Sequence, residues 1–144
     1  MMELSRIARR AVSIEPRATA LEAADMMVRE EIGAMVVLDG TKLVGILSER
    51  DIVGRVVAKR RSPDTTSVSD VMTRDVWTIT DDQTIESALE IMHRQRFRHL
   101  PLVDPRGEVI GMVSMRALLR DRVGELSQKN ADLLQFISAD GPGG

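Results

Sequence analysis

The chain predicts an α+β fold, one strand, helix, strand, strand, helix unit written twice, and three observations carry that reading. The chain matches itself: Ile14 with Ile79, Thr19 with Thr84, Ala23 with Ala88, Met27 with Met92 and Asp39 with Asp104, all at an offset of 65. Within each half the apolar spacing changes in the same order, from helical recurrence to short continuous runs around a turn. Finally, 43% of the 144 residues are apolar, enough to bury a sizeable interior.

Residues 1–12 open the chain with Glu3, Arg6, Arg9 and Arg10 and hold no apolar stretch of signal-peptide or membrane-spanning length. A short strand is expected at residues 12–14, and its counterpart at 76–79. A helix follows, opened by Thr19 with Glu22 at capping-box spacing, and Ala20, Ala23, Ala24, Met27 and Val28 are expected on one face. Ile85, Ala88, Leu89 and Met92 repeat the pattern. The apolar runs 34–38 and 43–47, and again 100–103 and 109–113, flank tight turns and read as hairpins covered on both faces. After the turn the offset becomes 66, pairing Gly45 with Gly111, Ser48 with Ser114 and Arg50 with Arg116; the turn at Pro105-Arg106-Gly107 absorbs the inserted residue. A further helix is expected over about residues 49–59, and another from 115 onward.

The basic pair Arg60-Arg61 and the turn formers that follow mark the joint. The expected units are therefore residues 1–61 (first repeat with the N-terminal segment), 62–120 (second repeat) and 121–144 (a helix and a disordered tail). A single copy of this size buries too little to be secure alone, so the two should pack about a pseudo-two-fold axis. In the tail, Leu119, Val123, Leu126, Asn130, Leu133 and Ile137 form a short heptad seam, which suits a homodimer contact.

Charge and composition limit the function. Twenty Lys and Arg against 22 Asp and Glu give a net charge of −2, so no overall field exists to hold nucleic acid or an anionic membrane. Aromatic residues make up 2% of the chain, which argues further against base stacking. No cysteine is present, which removes disulfides and thiolate chemistry and fits a reducing, cytoplasmic setting. The two histidines, with no metal-ligand cluster and no phosphate loop of the G-x-x-x-x-G-K-[ST] kind, argue against an enzyme.

The second copy reads Asp70-Val71-Met72-Thr73-Arg74-Asp75-Val76, then Arg98-His99-Leu100-Pro101-Leu102-Val103-Asp104, then Gly111-Met112-Val113-Ser114. The first copy carries Ile32-Gly33-Ala34-Met35-Val36-Val37-Leu38-Asp39 and Gly45-Ile46-Leu47-Ser48-Glu49-Arg50-Asp51. Over roughly residues 10–120 this resembles the CBS (cystathionine β-synthase) domain pair, or Bateman module. The resemblance implies a cleft at the junction of the repeats that takes AMP, ADP, ATP, S-adenosylmethionine or a related ligand such as NAD, as a regulatory ligand and not as a catalytic cofactor.

By that resemblance Ile46, Ser48 and Asp51 form one ligand site. Ser48 caps a helix or donates to phosphate, and Asp51 accepts from ribose hydroxyls. From spacing alone a helix cap and a first-turn acid is the favoured reading of Ser48 and Asp51, and the resemblance reverses that preference. The opposite wall would hold Trp77, Thr78, Phe97 and Pro101 against the base, with Arg98 and His99 bordering the phosphates. Trp77 reads as well as a core or interface filler. The second site, Ser114 and Arg116 with Ser13, Ile14 and Ile32 from the first repeat, departs from the pattern at Ala117, which stands where Asp51 stands and cannot bond a ribose. The Asp51 site is therefore expected to bind more tightly, and the Ser114 site to be empty, weak or adapted to another ligand. The implied function is a ligand-sensing regulatory module, homodimeric, acting in trans on an unnamed effector because the chain leaves no room for a catalytic domain. The alternative is a structural dimerisation scaffold without ligand.

Overall fold

A computed structural model describes residues 3–127 of the chain. The element order is α1 (Glu3–Ile7), β1 (Ser13–Ile14), α2 (Ala20–Glu30), β2 (Ala34–Asp39), β3 (Lys42–Ser48) and α3 (Glu49–Asp51), which runs on into a π-helical stretch (Ile52–Val57). The second half continues with α4 (Val68–Val71), β4 (Ile79–Thr80), α5 (Ile85–Gln95), β5 (His99–Val103), β6 (Val109–Ser114) and α6 (Met115–Ser127). Two three-stranded sheets result, ordered β1-β2-β3 and β4-β5-β6, each with one parallel and one antiparallel pairing.

The expected unit is present in both halves, with local corrections. Both helices start as their N-caps predict: Thr19 Oγ1 accepts from the Glu22 amide at 3.1 Å, and Thr84 Oγ1 from the Ser87 amide at 3.0 Å. Ala20, Ala23 and Met27 are buried, but Val28, expected on the same face, is 80% exposed because it turns past the edge of the apolar stripe. The second parallel strand is Ile79–Thr80 and not 76–79. Trp77 and Thr78 are exposed and make no ladder bond there, whereas Ile79 pairs with Leu102. The helix expected over 49–59 is wound wide from Ile52, with Ala58 N donating to Val53 O at 2.9 Å and Arg61 N to Val56 O at 2.9 Å.

The hairpins alternate their faces as strands must. Met35, Val37 and Leu47 face α2 and the first core, whereas Ala34, Val36 and Ile46 meet Met112 in a cluster between the repeats. Each hairpin carries one irregularity, at Val37/Leu38 and at Leu102/Val103. Gly40 and Gly107 supply the positive φ of the turns, and Asp104 Oδ1 accepts from the amides of Arg106 and Glu108, both at 2.9 Å, which holds the longer second turn.

The sequence repeat gives no warning of how the cores are completed. Val68, Val71 and Met72, which precede the second repeat, lie in the first core. Leu4, with Ile7 and Ala8 beside it, lies in the second core with Ile79, Ile85, Met92 and Leu118. Each repeat is therefore closed by the segment that leads into the other. Backbone bridges seal both exchanges: Ile46 N donates to Thr73 O and Thr73 N to Ile46 O, each at 2.9 Å, while Arg9 N donates to Met112 O at 3.0 Å and Met112 N to Arg9 O at 2.8 Å. The joint between repeats is itself tied down, since Ala20 N donates to Thr66 O and Val68 N to Ala18 O, both at 2.8 Å.

Of the expected seam, Leu119 and Leu126 are exposed and Val123 half-buried on α6; Asn130, Leu133, Ile137 and the tail expected to be disordered lie outside the described residues. Among the described residues no helix is long and apolar enough to cross a membrane.

Candidate functional site

Two pseudo-equivalent places exist, one at the end of β3 and one at the end of β6. At the first, Ser48 is the N-cap of α3 and forms a reciprocal capping box with Asp51. Asp51 N donates to Ser48 Oγ at 3.3 Å, and Ser48 N and Oγ donate to Asp51 Oδ2 at 2.9 and 3.2 Å. The other carboxylate oxygen accepts from Thr73 Oγ1 at 3.3 Å and lies 3.6 Å from Arg55 Nη1. Arg55 in turn donates to the carbonyls of Val71 and Met72, both at 3.0 Å, and so caps the end of α4. Asp51 is 9% exposed. Its ring of donors comes from both repeats, and in this arrangement it is engaged inside the chain at both oxygens.

At the second place the same geometry carries different chemistry. Ser114 Oγ accepts from the Ala117 amide at 3.1 Å, so the cap is kept, but Ala117 offers no carboxylate in return. Position 121, which matches Arg55, is Asp121; it pairs with Arg6 at 3.0 Å from the N-terminal segment, and its second oxygen is buried without a partner among the described residues. The Arg6 guanidinium is held further into its charged range by that hydrogen bond and the Asp121 charge.

Beside Ser114 lies a cleft of about 940 Å³ between the repeats. Ile32, Gly33 and Ala34 line it from the first repeat, and His99, Ser114 and Arg116 from the second. Size and position suit a nucleotide-scale ligand. Each wall is fixed within its own repeat by a matched contact, Glu49 N donating to Gly33 O at 3.0 Å and Met115 N to Arg98 O at 2.8 Å. A Cβ at Gly33 would lie 2.8 Å from the Glu49 carboxylate, which could swing aside, and in ordinary contact with the His99 ring of the other repeat at 3.7 Å. Burial, and secondarily the neighbouring Arg98 charge, push the His99 imidazole below its ordinary value and keep it neutral.

The expected site residues are thus divided. Ile32, Ser114 and Arg116 come together as expected, and His99, expected beside Asp51, lines this cleft as well. Ser13 and Ile14 lie outside its lining, Ser13 exposed and Ile14 in the first core. Ile46 sits next to Thr73 and Met112, at the seam between the repeats. Trp77 is 41% exposed, Phe97 half-buried, Arg98 exposed, and Pro101 buried in β5 opposite Met112. Thr78 lines a smaller cavity of about 590 Å³ at the tips of the hairpins, with Lys42, Arg74 and Arg106. Sequence reasoning missed Arg6, Arg9, Arg10 and Arg120, which all line the larger cleft. The i,i+4 spacing of Arg116 and Arg120 on one helical face was the available signal. Among the described residues there is no cluster of His, Asp and Glu able to hold a metal ion.

The family model described as the CBS domain matches twice, over residues 4–58 and 68–124. An uncharacterised 17.7 kDa protein of Acidianus ambivalens is 41% identical over 108 residues, 74% of this chain; the match spans 64% of that relative's length. A solved protein with CBS domains from Burkholderia ambifaria superposes with a TM-score of 0.81 at 28% identity, covering 86% of this chain and 95% of that one. A CBS domain pair solved in complex with 5′-methylthioadenosine and S-adenosyl-L-methionine superposes with a TM-score of 0.78 at 23% identity, covering 87% of this chain and 98% of that one, and so shares the fold.

Proposed function

The chain belongs to the CBS domain family, and on that premise we propose that it is a ligand-sensing regulatory module that takes an adenosyl compound in the cleft between its two repeats. The observation that carries the reading is the cleft itself. Its walls are supplied jointly by Ile32 and Gly33 of one repeat and by His99, Ser114 and Arg116 of the other, so a ligand there touches both. A ligand bridging two bodies changes their relative free energy of orientation, and that change is what a partner can read. The complex of a structural neighbour with two adenosyl ligands supports the ligand class.

At the Asp51 place, Ser48 and Asp51 remain the groups for a ribose and an anion. Binding there requires the carboxylate to exchange its Thr73 and Arg55 contacts for ligand hydroxyls. The partner is proposed to be a separate effector chain, and the exposed Val53, Val57, Leu119 and Leu126 offer helical faces for a second copy. A thermal-shift and calorimetry panel of AMP, ADP, ATP, NAD and S-adenosylmethionine tests the reading. A ligand at about 100 times its dissociation constant raises stability by about 2.7 kcal/mol, and no shift with any of them returns the scaffold alternative.

A further inference from the structure

We propose that the Ser114 cleft selects a nucleoside polyphosphate, a di- or triphosphate, over uncharged or cationic adenosyl ligands; this rests on the adenosyl reading above and deepens it. Five arginines line the cleft, Arg6, Arg9, Arg10, Arg116 and Arg120, against the acids Glu31, Asp121 and Glu125. Their pairing makes the imbalance larger. Asp121 is taken by Arg6 at 3.0 Å and Glu125 by Arg122 at 2.6 Å, while Arg10 reaches outward to Glu30 at 2.9 Å. Among the described residues Arg9, Arg116 and Arg120 have no acidic partner, and Glu31 is the one lining acid without a cation.

The three unpaired guanidiniums approach from two directions. Arg9 is fixed by its backbone bridge to Met112, and Arg116 and Arg120 lie one turn apart on α6. Guanidinium forks set this way match several phosphate oxygens, and a chain of phosphates carries more charge and spreads more acceptor oxygens than a single phosphate, so it can meet forks placed apart on both sides of the cleft. The same field opposes the sulfonium of S-adenosylmethionine. At position 117 the alanine leaves out the carboxylate that would repel a phosphate chain, which is present at the equivalent Asp51. The cleft volume of about 940 Å³ accommodates base, sugar and phosphates together.

The test is calorimetry on the full chain with ATP, ADP, AMP, adenosine, S-adenosylmethionine and inorganic tripolyphosphate, for wild type, Arg116→Gln, Arg120→Gln and the double variant, with the exposed Arg29→Gln outside the cleft as control. The triphosphate is expected to bind at least about tenfold more tightly than the monophosphate, and each cleft variant to weaken it by about tenfold, with a salt dependence that the variants reduce. Adenosine binding should be unchanged by the variants, and Arg29→Gln should behave as wild type. If S-adenosylmethionine binds as tightly as ATP, or the double variant binds ATP as wild type does, the polyphosphate inference falls while the adenosyl reading stands. If tripolyphosphate binds as tightly as ATP and adenosine fails to compete, the anion site stands and the adenosyl reading falls. If none of the six binds, both fall.

Discussion

The Ser48 and Ser114 ends of the two repeats share a backbone and differ in charge. Both serines cap a helix, both end glycine-bearing strands that accept a bridging segment from the other side, and both helix starts donate a hydrogen bond to the entry of their own hairpin. In the first, Asp51 gathers Ser48, Thr73 and Arg55 into a closed polar cluster. In the second, alanine replaces the acid, an acid replaces the arginine, and cations arrive from the N-terminal segment and α6. Duplication supplies the frame, and a few side chains make one end self-satisfied and the other open and basic. The expectation that Asp51 marks the stronger site rests on the resemblance and on alanine at the matching position 117. The cleft beside Ser114 is the place proposed above for the adenosyl ligand, and the Asp51 cluster is the place where a ligand must displace contacts within the chain.

The largest test of that comparison concerns the exchanged segments. Leu4 is fully buried in the second core, and Leu4→Ala is expected to cost about 2–5 kcal/mol in chemical denaturation. A loss below about 0.5 kcal/mol would mean that the N-terminal helix is not integral to the second repeat. Next come the paired glycines. A Cβ at Gly45 would overlap the Met72 thioether and lie 3.1 Å from the Thr73 carbonyl, whereas at Gly111 the nearest atoms are Arg9 O at 3.1 Å and Ala8 Cβ at 3.2 Å. Gly45→Val is expected to destabilise by about 1–3 kcal/mol, and Gly111→Val by a similar amount through the other bridge. Equal losses confirm matched seams; a neutral Gly111→Val shows that the N-terminal bridge yields.

Asp51→Ala strips the capping box and leaves Thr73 and Arg55 without their acceptor, with an expected loss of about 1–3 kcal/mol. The reciprocal Ala117→Asp should build the missing half of the second capping box and stabilise by a few tenths to about 1 kcal/mol, while weakening polyphosphate binding. If both changes leave the melting temperature alone, the contrast between the ends is not energetic. The smallest expected effect is the pH dependence from His99. Its folded value lies below the ordinary 6.5, so the unfolded chain takes up the proton first. The stability contribution is therefore full above the unfolded value and falls as the pH drops below it toward the folded one. His99→Gln should flatten that part of the curve, read by urea midpoints across the acid range.

Much of the fold was legible because burial along a helix or a strand is periodic. The stripe Ala20, Ala23 and Met27, the continuous apolar runs of β2 and β5, and the N-caps Thr19 and Ser48 all follow from neighbours within a few residues. Val28 misled because it lies one step outside an otherwise good stripe, while Trp77, readable as a base-binding wall or as a filler, is 41% exposed and so is no core filler. The basic residues at 6, 9 and 10 carry no signal of a site in the sequence, since nothing local connects them with Ser114.

The sequence by itself determined the duplication, the order of elements and the serine caps, because each is written in local spacing. Only the tertiary structure decided that residues 3–9 close the second repeat and 68–73 the first. Those exchanges rest on backbone bridges between Arg9 and Met112 and between Ile46 and Thr73, and a backbone amide carries no side-chain signature of its distant partner. The charge of the cleft was decided the same way, by arginines far apart in the chain that the crossing brings around one cleft.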